Sequence, residues 1–179
     1  NPGPTPQGSR RYEPPQRTQR RSDSESARVP LGLSAATMTG FTHDLAERLR
    51  RGAAPAVIGL DPRAEALPAG LLPGQAAPAR ILAFYRQTLP VLAQYVVCVK
   101  PNIAFFECHG ADGYRAYEQT CAIARSLGLL VLGDIKRGDI GSTAQAYAEG
   151  HFKIADAVTL HPWLGRDSLE PFLDHCRPA

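Results

Sequence analysis

The chain has 179 residues, 44% of them hydrophobic and 21% charged, enough for one core-forming domain and a tail. Its formal charge of +3 resides in residues 1–37, where six arginines stand against three acids, so residues 38–179 are neutral and lend no support to a nucleic-acid-binding face. No apolar run approaches the roughly 18–20 residues of a membrane-spanning helix. The cysteines at 98, 108, 121 and 176 form no C-x-x-C pair and no zinc-ligand spacing, so no metal site is expected.

Residues 1–37 are rich in Pro, Arg, Ser and Gln and almost free of aliphatic side chains before Val29, which makes them a disordered extension. Three acids and six prolines fit poorly with the amphipathic helix of an organelle transit peptide. Met38 is the only methionine and is read as the natural start, with residues 1–37 upstream of it.

From residue 41 helix and strand alternate. Phe41, Leu45 and Leu49 mark a short amphipathic helix to Arg51, ended by Gly52. A strand over 56–61 runs into Asp61-Pro62, and a Pro/Gly loop follows. A helix from about Pro78 to Gln94 is expected to kink or break at Pro90. The second strand, 95–100, ends in Lys100-Pro101-Asn102. A helix over 111–127 with Gly128 as its C-cap leads to a third strand, Leu129 to Asp134. Ser142 or Thr143 caps the next helix, which runs towards Ile154. Residues 157–160 form the fourth strand, then come His161-Pro162-Trp163 and a last helix over 167–174. Cys98 in a strand and Cys121 in a helix read as buried thiols of a reducing, cytoplasmic compartment.

Strands that are apolar throughout, each followed by a helix, make a parallel α/β sheet, either covered on both sides by helices or closed as a (β/α)8 TIM-type barrel. Asp61, Lys100, Asp134 with Lys136, and His161 all fall at strand carboxyl ends, where such a barrel keeps its active site. About the first four βα units are present, so residues 38–179 read as an incomplete barrel domain, the amino-terminal part of a larger enzyme.

The richest segment is Gly133 to Ala146. Residues two apart on a strand share a face, so Asp134 and Lys136 should point the same way, about 6–7 Å apart along the backbone. With Lys100 and Asp139 nearby they would form an alternating charge array that keeps Lys136 ionised. A fixed ammonium can stabilise a carbanion and then protonate it. A carboxylate beside it would repel a substrate carboxylate, which favours loss of carbon dioxide. An Asp and a Lys two apart can equally be a surface ion pair worth under about 1 kcal/mol. Gly138, Gly141 and the following Ser-Thr could bind phosphate at a helix amino terminus, and His161 reads as structural.

The run Asp134-Ile135-Lys136-Arg137-Gly138-Asp139-Ile140-Gly141-Ser142-Thr143 closely resembles the active-site motif of orotidine 5′-phosphate decarboxylase, D-x-K-R-x-D-I-G-x-T. Gly59 to Arg63, Val99 to Asn102 with Phe105-Phe106-Glu107, and Thr159 to Gly165 resemble three further motifs in the same order, most like the longer bacterial subgroup. The resemblance covers residues 41–175. It implies decarboxylation of orotidine 5′-phosphate to UMP, the last step of de novo pyrimidine synthesis, with no metal and no organic cofactor. Lys136 would protonate C6 of the pyrimidine, Asp134 would lie by the departing carboxylate, Lys100 would join the array and contact the ribose, and Asp61 would bind the ribose hydroxyls. Asp139, Ile140 and Thr143 would reach the neighbouring subunit's site, which implies a homodimer with shared active sites. No nucleic-acid or membrane partner is implied.

The family's phosphate-binding arginine and closing loop belong to the second half of the barrel and have no counterpart in residues 38–179. Two other readings therefore stand beside the decarboxylase. One is a metal-dependent sugar-phosphate decarboxylase or aldolase-like member of the same barrel group. The other is a non-catalytic half-barrel that persists through a partner chain.

Overall fold

The computed structural model describes residues 40–176. The expected extension over 1–37 and the expected start at Met38 lie outside the described residues. Four short strands carry the fold: β1 (Val57–Leu60), β2 (Cys98–Pro101), β3 (Leu130–Arg137) and β4 (Ala157–Leu160). They pair in chain order, every pair parallel, with Val57 opposite Cys98, Cys98 opposite Leu130 and Leu132 opposite Ala157. Parallel neighbours need crossover connections, and helices supply them.

The helices are α1 (Phe41–Arg50), α2 (Ala77–Leu92), α3 (Ala104–Glu107), α4 (Gly110–Ser126), α5 (Gly141–His151) and α6 (Glu170–Asp174). In α2 the buried residues are Ile81, Tyr85 and Leu89, one per turn. In α4 they are Gly113, Ala116, Tyr117, Thr120, Cys121 and Ala124, a stripe at the i, i+3, i+4, i+7 spacing of a core-facing helix. The two stripes meet Leu60, Val99, Val131 and Ile135 in the main core. Cys121 is buried in this core and Cys98 on the opposite face of the sheet, and loss of water pushes their thiols up to about 12 and about 11.

Strand periodicity gives the sheet a second face. Val97, Cys98 and Leu130 pack with Leu132 and with Phe41 and Leu45 of α1. Val99, Val131 and Ile135 point to the helices, whereas Cys98, Leu130 and Leu132 point the other way. Over β4, Ala144 and Ala148 of α5 and Phe172 of α6 enclose Val158 and Leu160. Asp156 locks the start of β4: its carboxylate accepts the Val131 N–H at 2.8 Å and pairs with Arg125 of α4 at 2.6 Å.

Several local expectations need correction. Helix α2 does not break at Pro90 but runs through it to Leu92. Pro90 lies in the last turn, where its ring removes a donor from a single carbonyl just as the helix ends. The short helix α3, whose Ala104 N–H donates to Asn102 Oδ1 at 3.3 Å, has no periodic signature in four residues. Neither Ser142 nor Thr143 caps α5: the helix starts at Gly141 with Ile140 as N-cap and no side-chain cap bond. Gly128 follows α4 with φ 79°, the left-handed turn expected of it.

The tightest backbone approach is at Gly113, where a Cβ would run into the Phe106 carbonyl of α3 and lie 2.9 Å from His109 Cβ. We expect Gly113→Ala to lower unfolding stability by about 2 kcal/mol or more, through strain that cannot relax in a filled core. Gly150→Ala, which meets nothing within 4 Å, should instead raise stability by up to about 1 kcal/mol through helix propensity. Urea unfolding of both variants checks the pair.

Candidate active site

The sheet face that carries Cys98, Leu130 and Leu132 becomes polar at its carboxyl edge. By strand parity Lys100 of β2 and Asp134 of β3 fall on that face. Pairing of β2 with β3 extends through a bridge between Asn102 and Asp134, and the Asp134 carbonyl accepts the Ile103 N–H at 3.2 Å. The Asp134 backbone is thereby held against the β2 side, and its residue is only 4% exposed.

Two ammonium groups converge on its carboxylate. Lys100 Nζ donates to Oδ2 at 2.5 Å, and Lys136 Nζ donates to Oδ1. The Thr159 hydroxyl of β4 adds a third bond to Oδ1 at 3.0 Å. Burial alone would raise the Asp134 carboxyl, but these donors outweigh it. The hydrogen bonds from Lys100, Lys136 and Thr159, then the Lys100 charge, bring it from 3.8 to about 2. The Lys100 side chain is 36% exposed and that of Lys136 is 65% exposed. The carboxylate is therefore sequestered while the Lys136 amine, still anchored to it, faces the open side of the sheet.

Lys136 does not reach this position by regular strand geometry. Its φ is 47°, a left-handed value that costs a non-glycine residue about 1–2 kcal/mol. The β3–β4 register shifts between Gly133 and Arg137. Across this irregularity the Lys136 amine still meets the Asp134 carboxylate. The chain beyond it is fixed by Arg137, which forms an ion pair with Glu107 and lies over the Tyr147 ring at 5.4 Å.

The remaining expected site residues separate into two groups. Asp61 lies at the end of β1, where its carboxylate accepts a hydrogen bond from Asn102 Nδ2 at 3.0 Å. Asp139 and Ile140 lie on the turn into α5, and Thr143 lies in its first turn. The Asp139 carboxylate accepts its neighbour's N–H, from Ile140, at 2.8 Å, and among the described residues no ion pair joins it to Lys100 or Lys136. Ile140 is 61% exposed. Gly138 allows this turn to press on the next strand, since a Cβ there would be 2.9 Å from the His161 carbonyl oxygen. Sequence reasoning missed two members, Asn102 and Thr159, although both stand inside the motif segments Val99 to Asn102 and Thr159 to Gly165.

A family model described as Orotidine 5′-phosphate decarboxylase / HUMPS family matches residues 56–179. An orotidine 5′-phosphate decarboxylase from Haloarcula marismortui is 42% identical over 137 residues, covering 74% of this chain and 48% of that protein. One from Deinococcus radiodurans is 42% identical over 144 residues, with coverages of 76% and 48%. Among solved structures, the OMP decarboxylase of Leishmania donovani superposes with a TM-score of 0.65 at 34% identity, over 76% of this chain and 50% of that one. The chain spans about half the length of the curated relatives it matches, and its four parallel βα units are those of a partial (β/α)8 barrel.

The depressed Asp134 carboxyl makes stability depend on acid. As pH falls, the unfolded chain binds this proton near 3.8 and the folded one only near 2. The stabilisation is complete above about pH 4 and disappears as pH drops through about 2, a loss of about 2 kcal/mol. Urea unfolding between pH 5 and 2 should show this decline in the wild type and a shallower one in Asp134→Asn.

Proposed function

The chain belongs to the Orotidine 5′-phosphate decarboxylase / HUMPS family, and on that premise we propose that it decarboxylates orotidine 5′-phosphate to UMP. The observation that carries the reading is the buried carboxylate of Asp134 with the amines of Lys100 and Lys136 both bonded to it at the open edge of the sheet. A substrate carboxylate brought beside Asp134 meets a like charge that cannot easily be neutralised by protonation. As the bond from C6 to the carboxyl carbon breaks, carbon dioxide leaves and the electron pair stays on C6. The Lys136 ammonium lies where that charge develops, stabilises it and transfers its proton to C6. The amine left behind is reprotonated from solvent, which its exposed side chain can reach.

Lys100 contacts the ribose and also holds Asp134, while Asp61, steadied by Asn102, binds the ribose hydroxyls. Asp139, Ile140 and Thr143 act in the site of a second subunit, so the working form is a homodimer with shared sites. Support for this comes from the Asp139 carboxylate, which is not paired with its own chain's lysines, and from the exposed apolar side chains of Ile140 and Trp163 on neighbouring loops. The protein works in the cytoplasm, a setting supported by four free cysteines. No helix among the described residues is long and apolar enough to cross a membrane.

Lys136→Ala in the complete polypeptide should reduce turnover of orotidine 5′-phosphate by at least about 10³-fold while nucleotide binding persists. Ordinary turnover by that variant, followed by loss of pyrimidine absorbance, would remove Lys136 from this role. Wild-type turnover that survives a chelator argues against the metal-dependent reading. Mixing Lys136→Ala with Asp139→Ala protein should restore about a quarter of wild-type turnover, because half of the dimers then hold one intact site. No recovery on mixing would refute the shared site.

A further inference from the structure

Between Gly133, which faces Val158, and Arg137, which faces Leu160, β3 spends three residues where β4 spends one. The three are Asp134, Ile135 and Lys136, and the one is Thr159. A bulge of this kind takes N–H groups out of the ladder, and they must find other acceptors. Both go to one atom: Thr159 Oγ1 accepts the Ile135 N–H at 3.0 Å and the Lys136 N–H at 3.0 Å. The same hydroxyl then donates its proton to Asp134 Oδ1 at 3.0 Å. A hydroxyl has one donor and two acceptor positions, so all its capacity is used and its proton position is forced. Neither N–H can accept, and the ionised carboxylate can only accept.

We propose that Thr159 is a positioning residue for the decarboxylation, its single hydroxyl holding the Lys136 backbone in the left-handed bulge and fixing the carboxylate that anchors the Lys136 amine. The inference rests on the functional reading above and deepens it. Thr159 touches neither the reacting carbon nor the departing carboxylate; it acts through Asp134 and Lys136. β-Branching suits it to the task, because it restricts χ1 and keeps the hydroxyl turned towards β3. Without the hydroxyl, two backbone donors lose their acceptor, and Lys136 has no local reason to keep a positive φ. The amine would then sample positions away from C6, which slows the chemical step more than it weakens nucleotide binding.

The test compares Thr159→Val, which keeps the shape and loses the hydroxyl, with Thr159→Ser, which keeps the hydroxyl, in the complete polypeptide. The Val variant should lose at least about tenfold in kcat with KM changed less than about threefold, and the Ser variant should recover most of that loss. A Val variant within twofold of wild type in kcat, or a Ser variant as slow as Val, overturns the proposal. Amide hydrogen exchange gives a readout independent of activity. The Ile135 and Lys136 amides should exchange at least about tenfold faster in the Val variant and stay protected in the Ser variant. Unchanged exchange in the Val variant also overturns the proposal. A wild type without decarboxylase activity would instead sink the functional reading and leave the exchange comparison to decide on Thr159. If the Val variant does not fold, Thr159→Ala carries the same expectations.

Discussion

One buried carboxylate organises the open edge of this sheet. Asp134 accepts bonds from an amine on its own strand, an amine on β2 and a hydroxyl on β4, so a single side chain ties three adjacent strands together. Burial of an unpaired carboxylate is costly, and removing any one donor leaves the charge less compensated. The arrangement is therefore cooperative. It is also unequal: Asp134 is almost wholly buried, whereas the Lys136 side chain extends from the same cluster into the open side. An acid kept ionised inside and an ammonium presented outside is the arrangement on which the proposed decarboxylation rests.

The rest of the fold makes that inequality possible. Helices α2 and α4 cover one face of the sheet with continuous apolar stripes, and α1 covers the amino-terminal part of the other. Apolar burial is spent where the helices lie, and the carboxyl edge of the second face is left for polar side chains. The same division separates the two chemistries of β3. Val131 and Ile135 hold the strand in the core, while Asp134, between them in sequence, is turned to the site. Arg137, paired with Glu107 and lying over the Tyr147 ring, anchors the strand immediately after Lys136.

Much of this was legible in the chain. Apolar runs within 56–61, 95–100, 129–134 and 157–160 located all four strands, because the strands of a parallel sheet packed under helices stay mostly apolar until they end. The extents of α2 and α4 lie close to the helices expected from the sequence. Less visible were features that depend on a second strand or helix. Ser142 and Thr143 look like caps in sequence, yet Ile140 occupies the N-cap position, because the turn from β3 is held by the Asp139 carboxylate and by contact with His161. Thr159 looks like an ordinary β-branched strand residue until the register of β3 against β4 places it opposite three residues.

The sequence by itself determined the order of strands and helices, the two faces of each element, and the set of ionisable groups gathered at strand carboxyl ends. These depend on periodicity and side-chain type, which are local properties of the chain. Only the tertiary structure decided that Lys100 and Lys136 share one carboxylate, that Asp139 stands apart from them, and that Lys136 takes a left-handed backbone held by a hydroxyl from the neighbouring strand. Those outcomes follow from strand register and from the depth at which a charge is buried. Both are set by residues distant in sequence, so no window along the chain contains them.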